Sequence, residues 1–122
     1  MTALIAALIT VESGGNDFAK GDYPKWDLKK EHPRAIGCLQ IHREALSDVN
    51  RIYHTKYTWP QLTNRAISID VCTKYLEIYA KNRGNETKAK TWNMGSGGIN
   101  KPAAEVYWKK VKKALDKKPP TI

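Results

Sequence analysis

Glu12 is the side chain in this sequence best placed to move a proton. In MTALIAALITVESGG, Leu4, Ile5, Leu8, Ile9 and Glu12 recur at three- and four-residue steps, which puts them on one face of a helix. The face that buries the leucines and isoleucines therefore turns the carboxylate inward. Thr2 supplies a cap and the Gly14-Gly15 pair ends the helix, so Glu12 belongs to the last turn, at the rim of a core. Burial disfavours the charged carboxylate, and the negative end of the helix dipole adds a penalty of the same sign. A carboxyl kept protonated in this way works as a general acid near neutral pH. The competing arrangement is a glutamate that curls outward to water.

No other group in the chain offers as much. His32, His42 and His54 are scattered and lack the i,i+4 spacing of a helical metal pair, so no metal centre and no cofactor is expected. Cys38 and Cys72 lack a CxxC spacing and read as two small core residues, with one disulfide between them as the alternative. Lys and Arg outnumber Asp and Glu 21 to 12, a net charge of +9 that favours polyanions: nucleic acid, anionic lipid or the acidic polymers of a bacterial envelope.

The elements that must position Glu12 are helical. With 122 residues, 41% hydrophobic and 27% charged, the chain reads as one globular domain over residues 1–118 with a frayed polar tail at 119–122. After the first helix, residues 14–37 are rich in Gly, Pro, Asp and Lys and show no sustained period. They read as a long irregular loop with a short hairpin, and as part of a substrate cleft. Apolar spacing predicts a second helix from about Leu39 to Tyr53. Thr58-Trp59-Pro60 reads as a turn into a third and longest helix, from Leu62 to Ala80, broken by Gly84. A short helix over Glu86–Trp92 ends at Gly95, Gly97 and Gly98. Pro102 opens the last, with Ala103, Tyr107, Val111, Ala114 and Leu115 on one face and lysines on the other. The fold class is mainly α, with about five helices. Ala3 to Val11 imitates a signal-peptide core without a basic leader or cleavage pattern, so it reads as a helix and no export route is visible; no stretch is long enough to span a bilayer.

Four stretches in order carry a resemblance: ESGGN at 12–16, AIGCLQIH at 35–42, TWNMGSGG at 91–98 and YWKKV at 107–111. Together they resemble the soluble lytic transglycosylase and goose-type lysozyme family, whose pattern is Glu-Ser, a GLMQI-like segment, a YNAG-like segment and a Tyr near the final helix. The likeness spans nearly the whole chain. It implies a lysozyme-like α domain that cuts the β-1,4 bond between N-acetylmuramic acid and N-acetylglucosamine in peptidoglycan. Such an enzyme acts at the bacterial cell wall, in the periplasm, outside the cell or delivered by phage.

By that resemblance Glu12 is the catalytic acid and then the base, and Ser13 supports it, although a helix-terminal hydroxyl also bonds backbone. Gln40 matches the amide of the GLMQI segment, which suits sugars because it donates and accepts at once. Asn93 matches the asparagine near the substrate N-acetyl group. Trp92 stands in place of the adjacent tyrosine and offers no phenol hydroxyl. Tyr107 matches the tyrosine near the acid, and its helical period suits packing equally. His32-Pro33-Arg34 stands where the family often has a serine, and Cys38 replaces a methionine-like position.

Hydrolysis with inversion needs a second carboxylate roughly 6.5–9.5 Å from the acid, whereas a lytic enzyme uses the sugar's own 6-hydroxyl. Asp17, Asp22, Asp27 and Glu31 lie in the loop expected to face Glu12, and Asp22 is the best candidate by position; a solvated turn aspartate is the competing reading. The lytic, 1,6-anhydro product is slightly preferred. Lysines 109, 110, 112, 113, 117 and 118 form the wet face of the last helix and offer contact to anionic wall polymers or a membrane surface. A monomer is expected. The rival from another class is a non-catalytic basic domain that binds nucleic acid or glycan through Trp26, Trp59 and Trp108, although no nucleic-acid motif is present.

Overall fold

The computed structural model describes residues 2–117, and it begins as the sequence predicts. Helix α1 spans Ala3–Ser13, with the Thr2 hydroxyl accepting from the Ile5 amide at 3.1 Å. Gly14 ends it in the left-handed conformation (φ 63°) and its N–H donates to the Thr10 carbonyl. Leu4, Ile5, Ala7, Leu8 and Ile9 are buried, so α1 is sunk into the core on more than one side.

Between α1 and the next helix, three two-residue strands make a small antiparallel sheet in the order β1 (Lys20–Gly21), β2 (Ala35–Ile36), β3 (Ile41–His42). Lys20 pairs with Ile36 and Gly21 with Ala35, while Ile36 pairs with Ile41 and Ala35 with His42. The expected hairpin is present, but its third strand lies beyond residue 37. This corrects the second helix: α2 is Arg43–Tyr53, not 39–53. Gly37 (φ 87°) and Gln40 (φ 51°) are both left-handed, which no α-helix tolerates, and the Gln40 N–H closes a turn onto the Gly37 carbonyl at 3.1 Å. Leu39 keeps its place in the core from within that turn.

A short 3-10 helix, Trp59–Thr63, occupies the expected turn and includes buried Leu62, so α3 starts later, at Arg65, and runs to Tyr79. Asn64 caps it by accepting from the Ile67 amide. Helix α4 is Asn85–Met94, longer than expected at both ends, and a second 3-10 turn follows at Ser96–Gly98. Helix α5, Pro102–Asp116, opens on its proline as predicted and packs against α1 and α4. The fold is mainly α, with five α-helices among the described residues.

Leu8, Leu39, Ile41, Val49, Leu62, Val71 and Val111 are fully buried where α1, the hairpin turn, α2, α3 and α5 meet. Cys38 and Cys72 are free, fully buried thiols, in keeping with the core reading and not with the disulfide. No helix among the described residues is long and apolar enough to cross a membrane. Lys118 and the expected tail at 119–122 lie outside the described residues.

Candidate active site

Glu12 opens onto a cleft of about 270 Å³. Helix α1 brings Glu12, the hairpin brings Gln40 and His42, α2 brings Glu44, α3 brings Tyr75, and α4 brings Trp92 and Asn93. The Tyr107 hydroxyl, from the buried face of α5, donates to Glu12 Oε2 at 2.9 Å across 95 residues of sequence. Among the described residues no Lys, Arg or His stands in ion-pair range of Glu12.

Burial therefore governs this carboxyl and pushes it up to about 7, while the Tyr107 hydroxyl and then the Trp92 indole pull in the other direction without prevailing. The Tyr107 phenol is itself pushed far up, first by burial and then by the Glu12 charge, so it remains a donor. A donor aimed at the carboxylate favours its charged form. Tyr107→Phe should therefore raise the Glu12 pKa further, by roughly one pH unit, in a titration followed by carboxyl ¹³C shift. A value unchanged or lowered would show that the phenol does not act on the acid.

The other expected site residues divide. Ser13 Oγ lies 2.8 Å from the Cys38 carbonyl and 3.2 Å from that of Ile9, and it accepts from the Gly15 amide at 3.1 Å. Its hydroxyl thus ties the end of α1 to the hairpin turn, and its hydrogen bonds are to backbone, not to Glu12. Gln40 lines the cleft, but its amide nitrogen donates to the Ala19 carbonyl at 3.1 Å and the Gly37 carbonyl at 3.0 Å. Both donors are engaged in holding the turn. Its oxygen lies against Gly21, where a Cβ would collide with it.

Trp92 is half-buried, edge-on to Tyr75 with ring centroids 5.3 Å apart. Asn93 is exposed at the cleft and its amide makes no hydrogen bond to the described protein, so donors and acceptor are all available. Asp22 is not on the cleft lining. It sits in a left-handed turn (φ 52°) with its carboxylate 3.4 Å from His42 Nε2. Of the other loop acids, Asp17 pairs with Arg65 at 2.7 Å and Asp27 is buried. Glu31 belongs to a neighbouring cleft beside Trp59.

The carboxylate that shares the lining with Glu12 is Glu44, in the first turn of α2. Neither it nor His42 is singled out by reading the sequence. Starting α2 at Arg43 would have drawn attention to both, since they flank the helix start just after the GCLQI segment. Among the described residues no group of three His, Cys, Asp or Glu is arranged to hold a metal ion.

A family model described as the transglycosylase SLT domain matches residues 1–115. Comparison with curated proteins and with solved structures finds no match.

Proposed function

Because the chain belongs to the transglycosylase SLT domain family, whose members are lytic transglycosylases acting on peptidoglycan, we propose that Glu12 is its general acid and base. The bond cut is the β-1,4 link from N-acetylmuramic acid to N-acetylglucosamine. The observation that carries this is a carboxyl raised to about 7, lining a cleft, with a phenol bonded to it and no cation among the described residues paired to it.

Protonated Glu12 donates to the glycosidic oxygen as that bond breaks. The carboxylate left behind then accepts the proton of the muramyl 6-hydroxyl, whose oxygen closes onto the anomeric carbon to give the 1,6-anhydro end. Tyr107 assists by bonding the carboxylate more strongly once it is charged, in the state that must be stabilised after proton donation. Asn93 binds the N-acetyl group, and Trp92 packs beside the acid and keeps water from it. Ser13 and Gln40 are positioning residues that hold the hairpin against α1. The cleft is completed within one chain, so the monomer is the working unit, and the α5 lysines add salt-sensitive contact to anionic wall polymers. A non-catalytic basic domain has no use for a buried acid.

Hydrolysis is the second reading, and one observation favours it: Glu44 lines the same cleft. It takes the place of Asp22, which is engaged by His42. Digestion of purified peptidoglycan followed by mass analysis separates the two, since an anhydro end is one water lighter than a hydrolysed end. The lytic reading expects anhydro ends from the wild type and from Glu44→Gln alike. Hydrolysed ends that vanish in Glu44→Gln would instead assign Glu44 as the base that activates water.

A further inference from the structure

The excursion between β1 and β2 holds two large apolar side chains in water. Trp26 is 68% exposed and Leu28 88% exposed, while Asp27 between them is buried. The Asp27 carboxylate accepts from the backbone amides of Glu31 at 3.0 Å and His32 at 2.6 Å, with His32 Nδ1 at 3.3 Å. Backbone bonds from Asp27 N–H to the Pro24 carbonyl and from Lys30 N–H to the Asp27 carbonyl close the turns on either side. An ordered loop thus pulls its acid in and presses its two apolar neighbours out.

The chemistry of what remains outside is uniform. Lys25, Lys29 and Lys30 are exposed, and the Lys30 ammonium sits 5.1 Å over the Tyr23 ring. Between Pro24 and Lys30 the only acid is Asp27, which faces inward; Asp22 on one flank is beside His42, and Glu31 on the other lines the cleft beside Trp59. Among the described residues the one aromatic neighbour of the Trp26 ring is His32, tilted at 49° with centroids 5.0 Å apart. Neither Trp26 nor Leu28 lines the active-site cleft or the one beside Trp59.

Side chains this exposed stand off the surface as a knob, and a knob suits a partner that deforms around it. We propose that Trp26 and Leu28, flanked by Lys25 and Lys29, form an interfacial anchor for an anionic phospholipid bilayer. The indole and isobutyl groups enter the headgroup and acyl boundary while the lysines meet the lipid phosphates. One Trp and one Leu give weak, reversible attachment, enough to retain a wall-cleaving enzyme at the membrane side of its polymer. The anchor is independent of the chemistry at Glu12.

Co-sedimentation of the full chain with phosphatidylcholine vesicles, with and without phosphatidylglycerol, tests this. The wild type should bind the anionic vesicles, less so at high salt, and Trp26→Ser with Leu28→Ser should lower partitioning at least tenfold. Turnover of soluble glycan strands should be unchanged, and Ile52→Ser, at an exposed apolar position on α2, should bind like the wild type. In the wild type, brominated lipid tails should quench tryptophan emission, and Trp26→Phe should remove that quenching. Absence of vesicle binding, equal binding by the double variant, or no quenching overturns the proposal. Loss of glycan binding with vesicle binding intact also overturns it, by making the knob a sugar surface. So does loss on reversing Lys109 and Lys113 with none from the loop substitutions, which moves the contact to α5.

Discussion

Glu12→Gln should lower turnover of purified peptidoglycan by about 10²–10⁴-fold at neutral pH, the usual worth of a positioned general acid. The same substitution should make the protein more stable above pH 7. Glutamine keeps the shape and can still accept from the Tyr107 hydroxyl, but it has no proton to give and no charge to bury. In the wild type, burial raises the carboxyl from 4.5 to about 7. Between those values the folded chain holds a proton that the unfolded chain has released, so the stability this proton contributes is complete below pH 4.5 and is lost as pH rises through 7. The difference amounts to roughly 3 kcal/mol at pH 8. Thermal melts of the two proteins should therefore coincide below pH 4.5 and separate by roughly 10 °C at pH 8, with the variant higher. Wild-type activity should fall over the same rise in pH, because the charged form cannot donate. Unchanged turnover in the variant would remove Glu12 from the mechanism, and coincident melts at pH 8 would remove the buried acid. A protein that weakens its own fold to keep an acid ready is expected at a catalytic site.

Gly37→Ala should cost about 3 kcal/mol or more and should disable the enzyme through its fold. Gly37 has φ 87°, where a side chain is strained, and a Cβ there would run into the Leu62 carbonyl and stand 3.0 Å from Ser68 Oγ. Neither neighbour can step aside. Ser68 is fully buried, and its hydroxyl donates to that same Leu62 carbonyl at 2.6 Å. Gly37 N–H also donates to the Ala19 carbonyl at 2.8 Å, and its own carbonyl receives the Gln40 amide. Backbone strain and overpacking each cost about 1–3 kcal/mol, and here they add at one atom. Urea unfolding should show a much lower midpoint for Gly37→Ala. Gly97→Ala is the control: a Cβ there meets nothing within 4 Å, and stability should change by no more than about 0.5 kcal/mol. A Gly37→Ala midpoint near that of the control would show that the hairpin yields more easily than its packing indicates.

Much of the helical architecture is legible because helices are local. Thr2 and Gly14 mark the start and stop of α1 through bonds to residues three or four positions away, and Pro102 opens α5 because the first turn has no use for the N–H it lacks; such signals are visible in a string of letters. The error at residues 39–42 has the opposite origin. Leu39 falls on a helical period, but Gly37 and Gln40 on either side of it turn left-handed as the chain reverses to pair Ile41 and His42 with Ile36 and Ala35. Pairing between strands depends on where chains meet, and two-residue strands leave no alternation to detect.

The site follows the same division. Sequence by itself determined that one carboxylate, Glu12, ends an apolar helix, that the chain is mainly α, and that its ordered motifs are those of its family. Only the tertiary structure decided that Tyr107 reaches Glu12 Oε2, that Glu44 and not Asp22 lines the cleft, and that the Gln40 amide is taken by backbone carbonyls. The reason is that helical periodicity states which way a side chain faces along its own element. What it faces, and whether its donors are already engaged, depends on elements that are distant in the chain and adjacent only after packing.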